Sequence, residues 1–239
     1  MLDLGCGLGS VLLMMAWRFP EADVTGIEAQ ADRAAMGRRS IAWNGAESRC
    51  RILDGDLRDP NTLPQGTRFP LITGTPPYFP QGTGPKSEKT HAAACRFETR
   101  GGIEDYALAA ARWLTPGGRF VVCTAALEAG RVVNAAREAG LKIIEHVDVV
   151  PREGKDVLVM VDVMGSLDSA PNEQHGSGPR SPRAESRGPS TSLRPNGPAA
   201  GEAAPPARDE RRITVRDAHA QWTPDFQRLR EAMGFPPLR

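Results

Sequence analysis

Three acidic side chains accompany short apolar runs in the first quarter of the chain. Asp3 stands in the run 1–4, and Glu28 and Asp56 each end a later run. A carboxylate at the end of a buried strand can accept hydrogen bonds from the hydroxyl or amino groups of a ligand. Because parallel strands end at one edge of their sheet, this pattern predicts that the three acids surround one ligand site.

Alternating glycines follow the first apolar run. Gly5, Gly7 and Gly9 precede a second apolar run, an order typical of a strand, a tight turn and a helix. Glycine permits the turn and lets a ligand approach the backbone closely, although ordinary tight turns use it too. A dinucleotide site has a glycine where this chain has Ser10, which disfavours a pyrophosphate ligand. Asp3 instead favours a ligand with a positively charged end.

Glu28 stands about 20 residues after the glycine turn, the spacing at which open α/β sheets place an acid on the ribose hydroxyls of a nucleoside. A solvated strand end is the alternative for this residue. Asp56 has the position from which a side chain can accept a hydrogen bond from an adenine amino group. A metal site at Asp54 and Asp56 is disfavoured, because no histidine or third acid has ligand spacing nearby.

A stiff proline elbow ends the fourth apolar run. Thr75, Pro76, Pro77 and Tyr78 follow this predicted strand, and proline fixes φ while removing a donor. The elbow therefore presents carbonyl groups and a flat aromatic face at the same edge as the glycine turn. A strand stop with Tyr78 packed under a loop is the alternative. The polar loop 80–99 that follows carries lysine, arginine and histidine, and we predict that it faces the substrate.

Composition narrows the class of protein but not its partners. The 239 residues include 30 Lys and Arg and 29 Asp and Glu, so the charge balance does not indicate a broad basic surface for binding nucleic acid. The cysteines are scattered, which favours a reducing compartment such as the cytoplasm over a disulfide framework. No run is long enough to predict a membrane span. Met1 already stands inside the first strand, from which we expect that the chain is a fragment lacking a leading segment.

The element pattern divides the chain into three parts. Strands alternate with helices up to an antiparallel pair at 141–149 and 157–163, which predicts an α/β domain over residues 1–165. Residues 166–212 are rich in Pro, Ser, Gly and charge, which predicts a disordered insert. Residues 213–239 contain a capped helix whose apolar stripe is expected to dock on the domain.

Four motifs of this chain together resemble those of the class I S-adenosylmethionine-dependent methyltransferases. They are Asp3 to Gly9, Glu28, the pair Gly55-Asp56 and the elbow 75–78. Within that superfamily the elbow and its basic loop are similar to the bacterial tRNA adenine-N6 methyltransferases. The resemblance implies a Rossmann-like sheet of seven strands, mostly parallel with an antiparallel last strand, and helices on both faces. Residues 213–223 would supply that last strand.

The resemblance also implies roles for particular residues. S-adenosylmethionine would be the cofactor, held by a set made of Asp3, Gly5, Gly7, Gly9, Glu28, Asp56 and Leu57. The elbow, made of Thr75, Pro76, Pro77 and Tyr78, would be catalytic, with RNA as the substrate and neither a metal nor a membrane involved. One departure affects the chemistry: the family has Asn where this chain has Thr75. A threonine hydroxyl is shorter than an amide and is also a donor.

Three hypotheses remain open on the sequence. The first is a methyltransferase of an exocyclic amine in structured RNA, with tRNA adenine as its target. The second is a methyltransferase of a small molecule or a protein side chain, which Thr75 and the near-neutral charge allow. The third is a catalytically inactive module of the same fold.

Overall fold

The structure, a computed structural model, describes residues 1–78, 101–167 and 209–235. Within these ranges the strands are β1 (Leu2–Leu4), β2 (Val24–Glu28), β3 (Cys50–Asp54), β4 (Phe69–Gly74), β5 (Leu114–Ala125), β6 (Leu141–Val150), β7 (Val159–Ser166) and β8 (Asp209–Thr214). The helices are α1 (Ser10–Arg18), α2 (Ala31–Trp43), α3 (Ile103–Trp113), α4 (Ala129–Glu138) and α5 (Pro224–Ala232), and a short 3-10 turn (Ala126–Glu128) precedes α4.

One mixed sheet carries all of these strands in the order β3-β2-β1-β4-β5-β7-β6-β8. Neighbours from β3 to β5 pair in parallel, and β7 pairs antiparallel with both β5 and β6. The predicted fold class is therefore confirmed, as is the antiparallel pair of β6 and β7. The strand count differs, because the described sheet has eight strands instead of seven.

The eighth strand comes from a segment that the sequence assigned to a disordered insert. β8 pairs in parallel with β6 at the edge of the sheet. Ser166, the first residue of the predicted insert, ends β7. The prediction of a disordered insert over 166–212 is therefore wrong at both ends of that segment. The remainder, 168–208, lies outside the described residues.

Residues 213–223 do not provide the antiparallel strand that the resemblance implied. β7 occupies that position between β5 and β6. Only Ile213 and Thr214 of the segment lie in a strand, and that strand is parallel to its neighbour. The predicted basic loop 80–99 lies outside the described residues.

Helices cover the sheet on both sides because strand residues alternate between two apolar clusters. One cluster joins α3 and α4 to β1, β4 and β5 through residues such as Leu4, Ile72 and Phe120. The other joins α1 and α2 to β2 and β3 through residues such as Val24 and Ile52. This packing holds the four strands β1, β2, β3 and β4 side by side, so that their carboxyl ends form one edge of the sheet.

The C-terminal helix α5 forms as predicted but docks differently. The Thr223 hydroxyl oxygen accepts from the Phe226 N–H at 3.2 Å, which caps the helix. Leu229, which the sequence predicts to dock on the domain in one stripe with Trp222, Phe226 and Met233, is 43% exposed. Phe235, just beyond the helix, instead stacks on Trp17 of α1 with ring centroids 6.5 Å apart. The tail therefore contacts the domain through an aromatic pair that the predicted stripe does not include.

Within the described residues, no helix has both the length and the apolar character needed to cross a membrane.

Candidate active site

The turn between β1 and α1 depends on glycine for both conformation and space. φ is +60° at Gly5, +55° at Gly7 and +82° at Gly9, a region that other residues rarely adopt. The Gly9 N–H closes the turn by donating to the Cys6 carbonyl oxygen at 2.9 Å. A Cβ on Gly5 would lie 2.1 Å from the Tyr106 hydroxyl oxygen. The backbone is therefore open to the cleft beside it only with glycine at this position.

Glu28, at the end of β2, is locked to the glycine turn. Its side-chain oxygens accept from the Gly7 N–H at 2.9 Å and from the Gln30 N–H at 2.8 Å. The residue is buried, yet its carboxylate lines the cleft. Each carboxylate oxygen can accept more than one hydrogen bond, so this geometry leaves acceptor capacity for a ligand.

Asp3 is buried behind the turn and is not among the residues that line the cleft. It accepts a hydrogen bond from the Thr73 hydroxyl at 2.7 Å. Burial raises the pKa of Asp3 to about 7, against the opposing effect of the Thr73 hydrogen bond. The structure therefore gives Asp3 a hydrogen bond that joins β1 to β4, and the contact of Asp3 with a ligand stays a prediction.

Asp56 and Leu57 reach the cleft from the segment after β3. The Asp56 carboxylate is engaged by Arg58, whose Nε lies 3.0 Å from Oδ1 and whose Nη2 lies 2.6 Å from Oδ2. The Asp56 carbonyl oxygen accepts from the Thr62 hydroxyl at 2.7 Å, which fixes the backbone. A ligand amino group at Asp56 would thus share the carboxylate with a guanidinium.

The elbow after β4 splits between the cleft and the interior. Thr75 is exposed and lines the cleft together with Pro77, whereas Pro76 is buried. Tyr78 is not among the lining residues, and its hydroxyl lies 3.7 Å from Cys123 Sγ on β5. Burial and the contact with Cys123 raise the pKa of Tyr78 to about 12.

One cleft therefore collects most of the predicted site, but not all of it. The predicted residues that line it are Gly5, Gly7, Glu28, Asp56, Leu57, Thr75 and Pro77. Those that do not line it are Asp3, Gly9, Pro76 and Tyr78. The cleft volume is about 130 Å³, below the ~300 Å³ lower end of small-molecule sites, so a ligand of that size extends beyond it.

Sequence reasoning missed two side chains of the cleft. Arg33 of α2 lines the cleft, and its guanidinium would lie 2.9 Å from a Cβ on Gly7. Tyr106 of α3 also lines the cleft. Arg33 stands in the first turn of a helix that follows Glu28, a position close to the ligand edge, and that signal was available. No sequence signal pointed to Tyr106.

The described ranges contain no group of three or more His, Cys, Asp or Glu residues placed to hold a metal ion.

Comparison with known proteins agrees with this geometry. A family model described as a methyltransferase domain matches residues 1–102. A tRNA1(Val) (adenine(37)-N6)-methyltransferase from Porphyromonas gingivalis is 35% identical over 52% of this chain and 48% of the relative. A release factor glutamine methyltransferase from Geobacter sulfurreducens is 30% identical over 51% of this chain and 43% of the relative. The chain thus spans about half the length of these two relatives, 48% of the first and 43% of the second.

The fold has a counterpart among solved structures. A predicted O-methyltransferase from Agrobacterium tumefaciens matches with a TM-score of 0.60 at 15% identity, over 98% of this chain and 89% of that one. At this identity the likeness concerns the fold alone.

The cleft fits the cofactor of these families. S-adenosylmethionine carries ribose hydroxyls and an adenine amino group, and Glu28 and Asp56 provide acceptors of the matching kind. The glycines at positions 5 and 7 leave the backbone accessible where a Cβ would meet Tyr106 or Arg33. Residues 1–102 of this chain therefore match a methyltransferase domain, tRNA adenine-N6 methyltransferases are among its relatives, and the cleft offers acceptors of the kind that S-adenosylmethionine needs.

Proposed function

We propose that this chain methylates an exocyclic amine of structured RNA, the N6 amino group of a tRNA adenine. The observation that carries the proposal is that Thr75 and Pro77 of the elbow line the same cleft as Glu28 and the glycine turn. A substrate amine at the elbow would therefore face a donor held at the turn. The curated relatives named as tRNA adenine-N6 methyltransferases support the same substrate.

The chemistry asks the chain mainly to align reactants. When bound, S-adenosylmethionine supplies a methyl group on a sulfonium. The lone pair of the amine nitrogen would form the new bond to the methyl carbon as the bond from that carbon to sulfur breaks, and the nitrogen would then lose a proton to solvent. Holding the two groups in line is a large part of such catalysis. The rigid prolines after β4 suit that task, because they fix the backbone on which the amine would rest.

Thr75 would act on the nucleophile. An adenine amine is a poor nucleophile because its lone pair is delocalised into the ring. Accepting its hydrogens at the Thr75 hydroxyl and the Pro76 carbonyl would localise that lone pair. Thr75 is exposed at the cleft and can serve as the first acceptor. Because its hydroxyl is shorter than the family's Asn amide, we expect slower transfer than an Asn elbow would give.

The remaining predicted residues take roles that follow from their positions. Glu28 would accept the ribose hydroxyls, and Asp56 with Leu57 would receive the adenine of the cofactor. Tyr78 would stack on the substrate base only after its side chain leaves Cys123. Stacking of a base on an aromatic ring is worth about 1–3 kcal/mol, enough to offset the loss of that contact. We also propose a cytoplasmic location, in keeping with a tRNA substrate.

A second function has its own support. A relative named as a release factor glutamine methyltransferase matches at 30% identity, and a glutamine amide nitrogen has a delocalised lone pair like that of adenine. The same elbow can therefore be used on a protein side chain, which was the second hypothesis from the sequence.

Methyl transfer distinguishes the two functions. The chain is incubated with radiolabelled S-adenosylmethionine and either total tRNA or total protein, and the RNA is digested to nucleosides. The proposal predicts label in N6-methyladenosine. Label in protein alone supports the second function and contradicts the first, and no transfer to either contradicts both.

A variant pair tests the elbow. Thr75→Asn should raise RNA methylation several-fold, because an amide carbonyl is a better placed acceptor. Thr67→Asn, in the loop before β4 and outside the cleft lining, is the matched control and should leave the rate unchanged. An unchanged rate in Thr75→Asn would remove Thr75 from the acceptor role.

A further inference from the structure

A second cavity lies between α4 and the outer strands of the sheet, and it shares no residue with the cleft. Its volume is about 270 Å³, twice that of the cleft. Val132, Ile143 and Met160 give it an apolar wall, and His146, Asp148 and Asp162 give it a polar wall. A pocket with an apolar lining and a few convergent polar groups is the usual form of a small-molecule site.

The polar wall is one connected row of ionisable groups. His146 Nδ1 lies 2.7 Å from Asp162 Oδ1, and His146 Nε2 lies 3.1 Å from Asp148 Oδ1. Asp162 is 1% exposed and lies on β7, which stands between β5 and β6 in the sheet. Arg212 on β8 donates to Asp148 Oδ2 at 3.0 Å from the solvent side. Burying a carboxylate raises the free energy of the folded state unless the carboxylate is paired. The hydrogen bonds along this row therefore stabilise its buried acid.

The charge of the cavity lining favours a cation. The lining contains two carboxylates and one imidazole, and no lysine or arginine is among the described lining residues. Two carboxylates stand against a single imidazole, so the lining has an excess of acidic groups. Arg212 lies outside the lining and pairs with Asp148 from the rim, where the Arg212 side chain is 65% exposed and an ion pair contributes little free energy.

Three further side chains stand next to lining residues, either across the sheet or along the chain. Thr124 lies across the β5–β7 pair from Met160 and is buried, and its hydroxyl meets no hydrogen-bond partner within the described part of the chain. Leu127 and Leu158 each follow a lining residue in sequence, and they are 89% and 60% exposed.

We propose that this cavity binds a small amphiphilic cation, an alkylammonium whose chain lies on Val132, Ile143 and Met160 and whose nitrogen donates to Asp148 and Asp162. The site is separate from methyl transfer and does not depend on it. Hydrogen bonds to a charged group are stronger than those between neutral groups, so the head group dominates the specificity.

The test uses the full chain without S-adenosylmethionine and three probes with the same hydrocarbon chain. n-Hexylammonium, n-hexanol and n-hexanoate are titrated by calorimetry and by shifts of methyl NMR signals. The proposal predicts binding of n-hexylammonium with shifts at Val132 and Ile143, at least tenfold weaker binding of n-hexanol, and none of n-hexanoate. Equal binding of all three probes, or binding of none, would overturn it.

Variants locate the binding. Val133→Trp places a large ring on the cavity wall without changing its charge, and it should abolish n-hexylammonium binding. Asp148→Asn should weaken binding by at least tenfold, whereas Asp156→Asn, an exposed acid outside the lining, is the control and should not. Unchanged affinity in Val133→Trp contradicts the proposal even if Asp148→Asn alters the fold.

Discussion

The two sides of the cleft are built in different ways. On the turn side, positive-φ glycines and backbone hydrogen bonds to Glu28 fix the geometry. On the elbow side, an exposed Thr75 precedes a buried proline and a tyrosine that contacts β5. The turn side therefore tolerates few substitutions, because the backbone N–H groups that donate to Glu28 would lose their hydrogen-bond acceptor. The elbow side depends on side chains, which explains how a family position can carry Thr here without loss of the fold.

The largest effect is expected from Gly5→Ala. Its Cβ would meet the Tyr106 hydroxyl at 2.1 Å while φ stays at +60°. Strain and overpacking together should lower the free energy of unfolding by about 2–5 kcal/mol, and S-adenosylmethionine binding should be lost. Urea unfolding and calorimetry measure the two effects.

Gly66→Ala is the control for that variant. Gly66 has φ of +83°, and a Cβ there has no neighbour within 4 Å. It should cost only about 1–2 kcal/mol and leave binding intact. If both variants bind the cofactor equally, the close approach of Tyr106 to the turn has no importance for the site.

Asp3→Asn should stabilise the chain at high pH. The pKa of Asp3 is raised from 3.8 to about 7 in the folded chain, so the folded state holds a proton that the unfolded state has released. The wild type therefore loses stability as pH rises from about 4 to 7, by up to about 4 kcal/mol. Asparagine keeps the size and an acceptor for Thr73 but carries no charge.

Urea unfolding at pH 5 and pH 8.5 checks this expectation. The variant should gain about 2–4 kcal/mol over the wild type at the higher pH and much less at the lower. Asp156→Asn, at an exposed acid, should change stability equally little at both. A variant that is less stable at pH 8.5 would show that the ionised carboxylate supports the fold.

Glu28→Gln should weaken cofactor binding by roughly tenfold or more. A glutamine amide has one acceptor oxygen, so either the Gly7 or the Gln30 N–H loses its partner, at about 1–3 kcal/mol. Calorimetry with S-adenosylmethionine measures the change, and Glu47→Gln at an exposed position is the control. Full affinity in Glu28→Gln would mean that neither the turn nor the ribose depends on this carboxylate.

Arg58→Ala should have the smallest effect. The pair with Asp56 is partly exposed, with Arg58 at 46%, so the free energy of unfolding should change by less than about 1 kcal/mol. Cofactor affinity should rise several-fold, because the carboxylate no longer shares its oxygens with the guanidinium. Arg68→Ala, at an exposed position outside the cleft lining, should leave the affinity as it is. A tenfold loss in Arg58→Ala would instead make Arg58 a ligand contact.

Sequence patterns predicted the turn side well because glycine spacing and strand-end acids report directly on backbone geometry. Gly5, Gly7 and Glu28 lie together as expected. The same patterns did not show which way Asp3 points, since all three residues of β1 are buried and a strand-end acid can serve the ligand or the interior. Arg33 was missed for a related reason: helical periodicity separates polar from apolar faces, but it does not tell solvent from a cleft.

The outer edge of the sheet shows a different limit. Residues 209–212 read Asp-Glu-Arg-Arg, a composition that hydropathy assigns to disorder. In the sheet, Arg211 pairs with Glu145 and Arg212 with Asp148 across β6 and β8. An edge strand can be charged because one of its sides faces water. Only the pairing partner, which is distant in sequence, makes this segment a strand.

The glycine turn and the proline elbow are proposed to border one cofactor. A titration of the ¹⁵N-labelled chain with S-adenosylhomocysteine tests this arrangement through the backbone amide signals of Gly7 and Thr75. We predict that both signals shift along one saturation curve with a single Kd, while the amide of Lys155, in the exposed turn between β6 and β7, stays in place. Shifts at Gly7 without any at Thr75 would place the elbow outside the site and contradict the account.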